Sequence, residues 1–321
     1  MPEEEKEKKE KSNSSKITGA IAKGFMWSLV SIVVMGAMYI IGIILFVASG
    51  GSWGRPLRVK GKQVHAELSN GNDWTRGEKP DVAGLDKNTR DVLEALWLHD
   101  AKKEHASVPA FSRISWMLVA VGAPADLVEW SHRAAIEEIE HTQLCFALAQ
   151  GYANSGQSKT IKPMPFLLKG GLDLKEDALL VLAKESLEDG CQLEDYNADV
   201  AAACALVCKE RVTKNVLKQI ALEERSHAEF SWKLLEWTLA VRPQDVTVAI
   251  KKAYKNLENY KRPTAVSWDK KHLLKKADTQ QLLNHGRIPD EQWARIWDER
   301  LLKTKQRLDN LLDSQAKQKI A

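Results

Sequence analysis

The chain has 321 residues, 44% hydrophobic and 28% charged, with a formal net charge of +4. That balance fits a globular protein with a substantial core and excludes wholesale disorder, a fibrous chain and a strongly basic nucleic-acid binder. None of the four cysteines sits in a CxxC pair, which excludes a zinc ribbon and a thioredoxin motif, and four in so long a chain do not make a disulfide scaffold.

Residues 1–24 hold six lysines interleaved with five glutamates, then Ser-Asn-Ser-Ser, and are predicted to be a charged, disordered tail. No charged residue lies between Lys23 and Arg55, and Phe25 to Val47 is almost wholly apolar. As a helix that stretch is about 34 Å long, enough for the roughly 30 Å hydrocarbon core of a bilayer. Residues 25–48 are therefore predicted to be a single transmembrane helix, with the lipid bilayer as partner and Trp27 and Trp53 near its interfaces. The apolar run is long for a cleaved signal peptide. Basic residues near the two ends are nearly balanced, so the positive-inside rule assigns no side to the rest of the chain.

Residues 49–88 are dense in Gly and Pro, from Gly50 to Gly84, and read as an irregular linker with a short strand at Leu57 to Val59. Punctuation then marks four long helices. The first runs from Thr89 to Val121 and stops at Gly122-Ala123-Pro124; the second runs from Pro124 to Gly151. Asp173 and Glu176 resemble a capping box for a third, ending near Lys209. The fourth spans Thr213 to Val241, closed by Arg242-Pro243. Residues 89–242 are thus predicted to be an all-α four-helix bundle. Residues 243–321 are predicted to be a helical C-terminal extension packed on it, in two amphipathic pieces around Tyr254 and Trp293-Trp297.

The second and fourth helices share a phrase. Ala135-Ile136-Glu137-Glu138-Ile139-Glu140-His141 is echoed 86 residues later by Ala221-Leu222-Glu223-Glu224-Arg225-Ser226-His227. Each contains Glu-x-x-His, a spacing that turns a carboxylate and an imidazole the same way and lets one helix offer both to one metal ion. A third such pair, Glu129 and His132, is the internal control. His132 lies nine residues before His141, half a turn out of phase, so if His141 faces the core, His132 faces solvent. By contrast, His141 shares a stripe with Leu127, Ala134, Cys145 and Leu148, and His227 one with Leu217, Ile220 and Leu234. Charged groups in an apolar stripe are costly unless paired or metal-bound, and here the same cost recurs at matching places.

A two-metal bundle site needs one more carboxylate from each of the other helices. On the first, Glu104 lies among Leu93, Trp97, Ala101, Phe111 and Leu118. On the third, Glu194 shares an apolar line with Leu187, Cys191, Ala198 and Ala201, whereas Glu188 shares a polar line with Lys184, Gln192, Asp195 and Asp199 that reads as solvated. Phase therefore selects Glu194. The predicted metal ligands are Glu104, Glu138, His141, Glu194, Glu224 and His227. Two unit charges 5 Å apart repel by about 3 kcal/mol at an effective dielectric near 20, so four such carboxylates require cations or protons. Two divalent ions supply the charge, and carboxylate-plus-imidazole ligation suits iron or manganese. Cys145, Cys191, Cys204 and Cys208 read as small buried hydrophobes. Pro109 and Gly190 lie about one turn from Glu104 and Glu194, and helix breaks there would aim those carboxylates or open a path to the metals.

Over roughly residues 91 to 240 the sequence resembles the ferritin-like di-iron carboxylate superfamily. The resemblance is carried by Glu104-His105-Ala106-Ser107, Glu138-x-x-His141-Thr142-Gln143-Leu144-Cys145-Phe146, Gly190-Cys191-x-x-Glu194 and Glu224-x-x-His227. With Trp53-Gly54-Arg55-Pro56 and His285-Gly286-Arg287-Ile288, the wording is similar to bacterial ferritin-like domain proteins. The resemblance implies a ferritin-like bundle holding two iron ions, bridged by Glu138 and Glu224 and capped by His141 and His227, with dioxygen or peroxide chemistry and an external electron donor. An anchored, extended chain fits a storage cage poorly, and no cysteine-ligated second iron site supports a self-sufficient rubrerythrin. What the resemblance leaves is a membrane-anchored di-iron oxidoreductase, similar to the demethoxyubiquinone hydroxylases, acting on a quinone or lipid. The alternative is a non-catalytic, membrane-tethered iron-binding or peroxide-protective protein.

Overall fold

The computed structural model describes residues 54–59, 62–169, 176–264 and 274–318; the predicted tail and membrane span lie outside them. Every element below belongs to the unit Gly50–Ala321. Among the described residues no helix is long and apolar enough to cross a membrane.

Helix α1 (Lys87–Ala120) starts where the Asp86 carboxylate accepts the Thr89 N–H at 3.0 Å. It ends at Gly122, whose φ of +71° is left-handed, and the Ala123 N–H returns to the Leu118 carbonyl at 2.9 Å. That tight turn reverses the chain into α2 (Ala125–Tyr152). Helix α1 runs unbroken through Pro109, so the break expected there does not occur. The proline forfeits one hydrogen bond, and the buried contacts of Ala106, Ala110 and Phe111 on either side of it keep the helix in line.

The second helical pair is less regular. Helix α3 consists of three consecutive pieces, α-helical Ala178–Glu185, π-helical Ser186–Glu194 and α-helical Asp195–Val207. Its N-cap is Asp177, which accepts the N–H groups of Leu179 and Leu180. Asp177 therefore takes the place of the expected Asp173–Glu176 box, of which Asp173 lies outside the described residues. The break expected at Gly190 is real and is a π-segment, the wider winding that recurs at functional sites. A Cβ at Gly190 would fall inside the Ser231 side chain, so only glycine lets α4 (Arg211–Val241) approach α3 at this level.

Among the described residues, four short strands edge the bundle. β1 (Arg58–Val59), at the expected strand, pairs with β2 (Lys62–Gln63), and β3 (Leu68–Asn70) pairs antiparallel with β4 (Lys159–Ile161) in the crossover between the helical pairs. The segment between β3 and α1 lies along α2, with Gly77 against Leu144 and Pro80 against Gly151.

Beyond the bundle lie α5 (Pro243–Glu258), α6 (Thr279–Asn284) and α7 (Asp290–Gln318). They explain one misread face. The line through Gln192, Asp195 and Asp199 is not solvated: Gln192 is fully buried and Asp195 is 5% exposed. Arg300 of α7 reaches Asp195 at 2.9 Å and Asp199 at 2.5 Å, so the carboxylates are covered by the extension and neutralised by its arginine together with Arg225 of α4. Arg307 adds a two-pronged pair with Glu229 and lies 4.4 Å from the Trp232 ring centre. At the other end, the His285-Gly286-Arg287 phrase is a docking device. His285 bonds the Tyr152 hydroxyl at 2.8 Å, while Arg287 bonds Asp100 at 2.7 Å and stacks on Trp97.

Candidate metal centre

The bundle core is interrupted by one polar layer. Below it lies a large apolar cluster including Trp97, Leu148, Cys191 and Trp232; above it lies a second, including Phe111, Leu118, Leu127 and Phe230. Between them converge Glu104 of α1, Glu138 and His141 of α2, Glu194 at the end of the π-segment of α3, and Glu224 and His227 of α4. All six are fully buried. They form two overlapping quartets, Glu104, Glu138, His141 and Glu224, and Glu138, Glu194, Glu224 and His227, within each of which candidate donor atoms lie within 4.8 Å of one another. Glu138 and Glu224 belong to both. All six side chains selected by helical phase are thus brought together. His132, the control, is exposed, as is Glu129, which pairs with Arg133.

Each imidazole is held from outside by a residue that sequence reasoning passed over. The Nε2 of His141 bonds Glu223 of α4 at 2.6 Å, and the Nε2 of His227 bonds Glu137 of α2 at 2.8 Å. The pairing is crossed, each helix supplying the carboxylate for the other's histidine. With Nε2 bonded outward, Nδ1 faces the centre and offers its lone pair to an ion once its proton is displaced. The signal was present in the sequence, because both halves of the repeat place a second glutamate immediately before the shared one.

The inward atoms fit a pair of cations. Both carboxylate oxygens of Glu104, Glu138 and Glu224, Oε2 of Glu194, and Nδ1 of both histidines are buried without a hydrogen-bond partner. So many orphaned donors and acceptors in one place would be prohibitive for a core that holds nothing. Their spacing is informative too. His141 Nδ1 lies 3.5 Å from Glu138, 3.9 Å from Glu224 and 4.0 Å from Glu104, and His227 Nδ1 lies 3.3 Å from Glu138. Ligands roughly 2.1 Å from a common ion stand about 3.0 Å apart when adjacent and about 4.2 Å when opposite, and the observed separations fall in that interval.

Without metal the same groups hold protons. Burial, reinforced by neighbouring carboxylates, pushes Glu104 and Glu224 well above the usual carboxylate range. Burial also raises Glu138, but the close approach and positive charge of both histidines outweigh it and bring that carboxyl down to about 2. Burial would lower His227, yet Glu137 and Glu138 overcome it and hold the imidazole up to about 9; His141 is raised by Glu138 and Glu223 in the same way. Two divalent ions would replace these protons and balance four carboxylates.

A second unanticipated contributor is the stretch just before β1. Arg55 is 2% exposed, its Nε lies 3.3 Å from Glu194 Oε1, and its Nη2 donates to Ser231 Oγ. Gly54, at φ +76°, lies against the Glu104 side chain with no room for a Cβ. The four cysteines are free and buried, as small core residues should be.

No family model, curated protein or solved structure matches the chain. The likeness to a ferritin-like di-metal site therefore rests on the helical architecture and on this buried Glu/His cluster.

Proposed function

We propose that this protein is a membrane-anchored di-iron oxidoreductase that activates dioxygen or peroxide and oxidises or hydroxylates a lipophilic substrate such as a quinone or lipid. The observation that carries the reading is the set of inward, unpartnered donor atoms on six buried side chains, with the outer nitrogen of each histidine already bonded to a carboxylate. Glu104, Glu138, Glu224 and His141 would hold one ion, and Glu138, Glu194, Glu224 and His227 the other. Bound iron supplies reversible redox change and affinity for oxygen. Manganese suits the same donors.

The chain's own contribution is positional. Glu137 and Glu223 fix the ring orientation of the histidines and make them better donors. Phe111, edge-on to His227 at 5.1 Å between ring centres, and Phe230 wall one side with apolar surface and keep bulk water out. Support for a bilayer-borne substrate comes from the sequence, where the apolar stretch ending at Val47 precedes Arg55 by only eight residues.

The test is metal analysis and oxygen uptake on the full-length chain in detergent. Two iron or manganese ions per chain, lost in Glu138→Ala and Glu224→Ala, are expected, with oxygen consumption that depends on added quinol or unsaturated lipid and an electron donor. Two metals without substrate-dependent uptake would favour the non-catalytic iron-binding or peroxide-protective reading. A purified protein with neither metal would sink both.

A further inference from the structure

Four of the six inward side chains are paired between α2 and α4, Glu138 with Glu224 and His141 with His227, and the outer carboxylates Glu137 and Glu223 are paired likewise. Glu104 and Glu194 should complete the match. They do not, because only Glu194 is in contact with Arg55. Both oxygens of Glu104 are unpartnered, whereas Glu194 Oε1 is engaged by the guanidinium and only Oε2 is left.

The arginine is firmly placed. Its Nη2 is bound by Ser231 Oγ, which in turn donates to the His227 carbonyl at 3.0 Å. Its guanidinium lies 5.0 Å from the centre of the Phe111 ring, and its carbonyl accepts the Ser107 hydroxyl at 2.9 Å. The preceding Gly54 carbonyl accepts from Asn197 at 3.4 Å. A fixed positive charge is therefore built beside the Glu194–His227 position, and it cannot swing away without breaking contacts to α1 and α4.

We propose that Arg55 makes the two metal positions unequal, so that the Glu104–His141 position fills first and the Glu194–His227 position binds its ion at least about tenfold more weakly. Two causes act together. The arginine removes one ligand oxygen from the second position, and it repels a cation there in a buried setting where screening is weak. The inference rests on the two-metal reading above and adds an order of filling to it.

The experiment titrates metal-free, full-length protein in detergent with Co(II) under argon, followed by calorimetry and by visible ligand-field absorption. Two resolved steps, one ion each, are expected for the unaltered chain. Arg55→Gln keeps a donor and removes the charge, and should bring the second step to within about threefold of the first. Arg55→Lys keeps the charge and should leave the steps apart. Two equal steps in the unaltered chain, or a separation that Arg55→Gln leaves unchanged, would overturn the proposal. Absence of any Co(II) binding would instead remove the two-metal reading itself. Should Arg55→Gln not fold, a crystal of the unaltered protein grown with one equivalent of Co(II) decides the matter. Anomalous density between Glu104 and His141 supports the proposal, and density between Glu194 and His227 refutes it.

Discussion

The two halves of the centre are made differently. The α1–α2 half is a pair of regular helices joined by a glycine turn, and its carboxylate, Glu104, has no protein partner at either oxygen. The α3–α4 half carries a π-segment, a glycine on which α4 rests, an arginine on its carboxylate and a C-terminal helix across its back. Yet the repeated phrase on α2 and α4 gives each half the same histidine, the same shared glutamate and the same outer carboxylate. The repeat thus supplies equivalence, and the π-segment of α3 together with the segments outside the four helices imposes the asymmetry.

The comparison breaks most completely if a shared ligand is removed. Glu224→Ala takes an oxygen donor from both quartets, so metal content should fall from two ions to none, measured by mass spectrometry of the purified chain. Gly190→Ala attacks one half alone. The added methyl collides with Ser231 and Arg55, which should cost about 3 kcal/mol, lower the melting temperature and leave one ion per chain in place of two.

Acidity should act on both halves alike. In the metal-free centre both imidazoles are held protonated above their ordinary range, His227 up to about 9. Each ion must displace at least one such proton, so affinity rises with pH and falls as the solution is acidified. Between pH 8 and pH 6 the loss should reach about a hundredfold per ion, read by titration at fixed ionic strength.

The outer carboxylates sharpen the comparison further, because their effect should cross from helix to helix. Glu137→Gln, on α2, should weaken the His227 position about tenfold, and Glu223→Gln, on α4, the His141 position. Step-resolved titration distinguishes this from a general loss. The smallest effect is expected at Thr304, whose hydroxyl donates to the Cys191 carbonyl in the π-segment at 3.5 Å. Thr304→Val should cost about 1 kcal/mol in thermal melts and leave the α1–α2 half unchanged.

Much of this was legible before any coordinates. The four helices declare themselves through apolar period and through Gly122 and Pro243, and the ligands through two Glu-x-x-His pairs in phase with apolar stripes. Glu194 could be separated from Glu188 because phase distinguishes faces. Phase does not say what covers a face, and for that reason the Gln192, Asp195 and Asp199 line read as solvated when Arg300 of the extension in fact lies over it. Gly190 foretold a defect but not its winding, since glycine tolerates a kink and a π-turn equally. Arg55 was illegible as a site residue. As one of four basic residues shortly after an apolar stretch, with Arg58, Lys60 and Lys62, it reads as an interfacial charge, and only tertiary packing carries it to Glu194.

The crossed bonds between His141 and Glu223 and between His227 and Glu137 have a consequence for assembly. Because each rod holds the other's ring, a slip of a single residue between α2 and α4 would unseat both ties at once. The pair therefore works as a lock on vertical alignment, selecting the correct seating of the helices before any ion arrives.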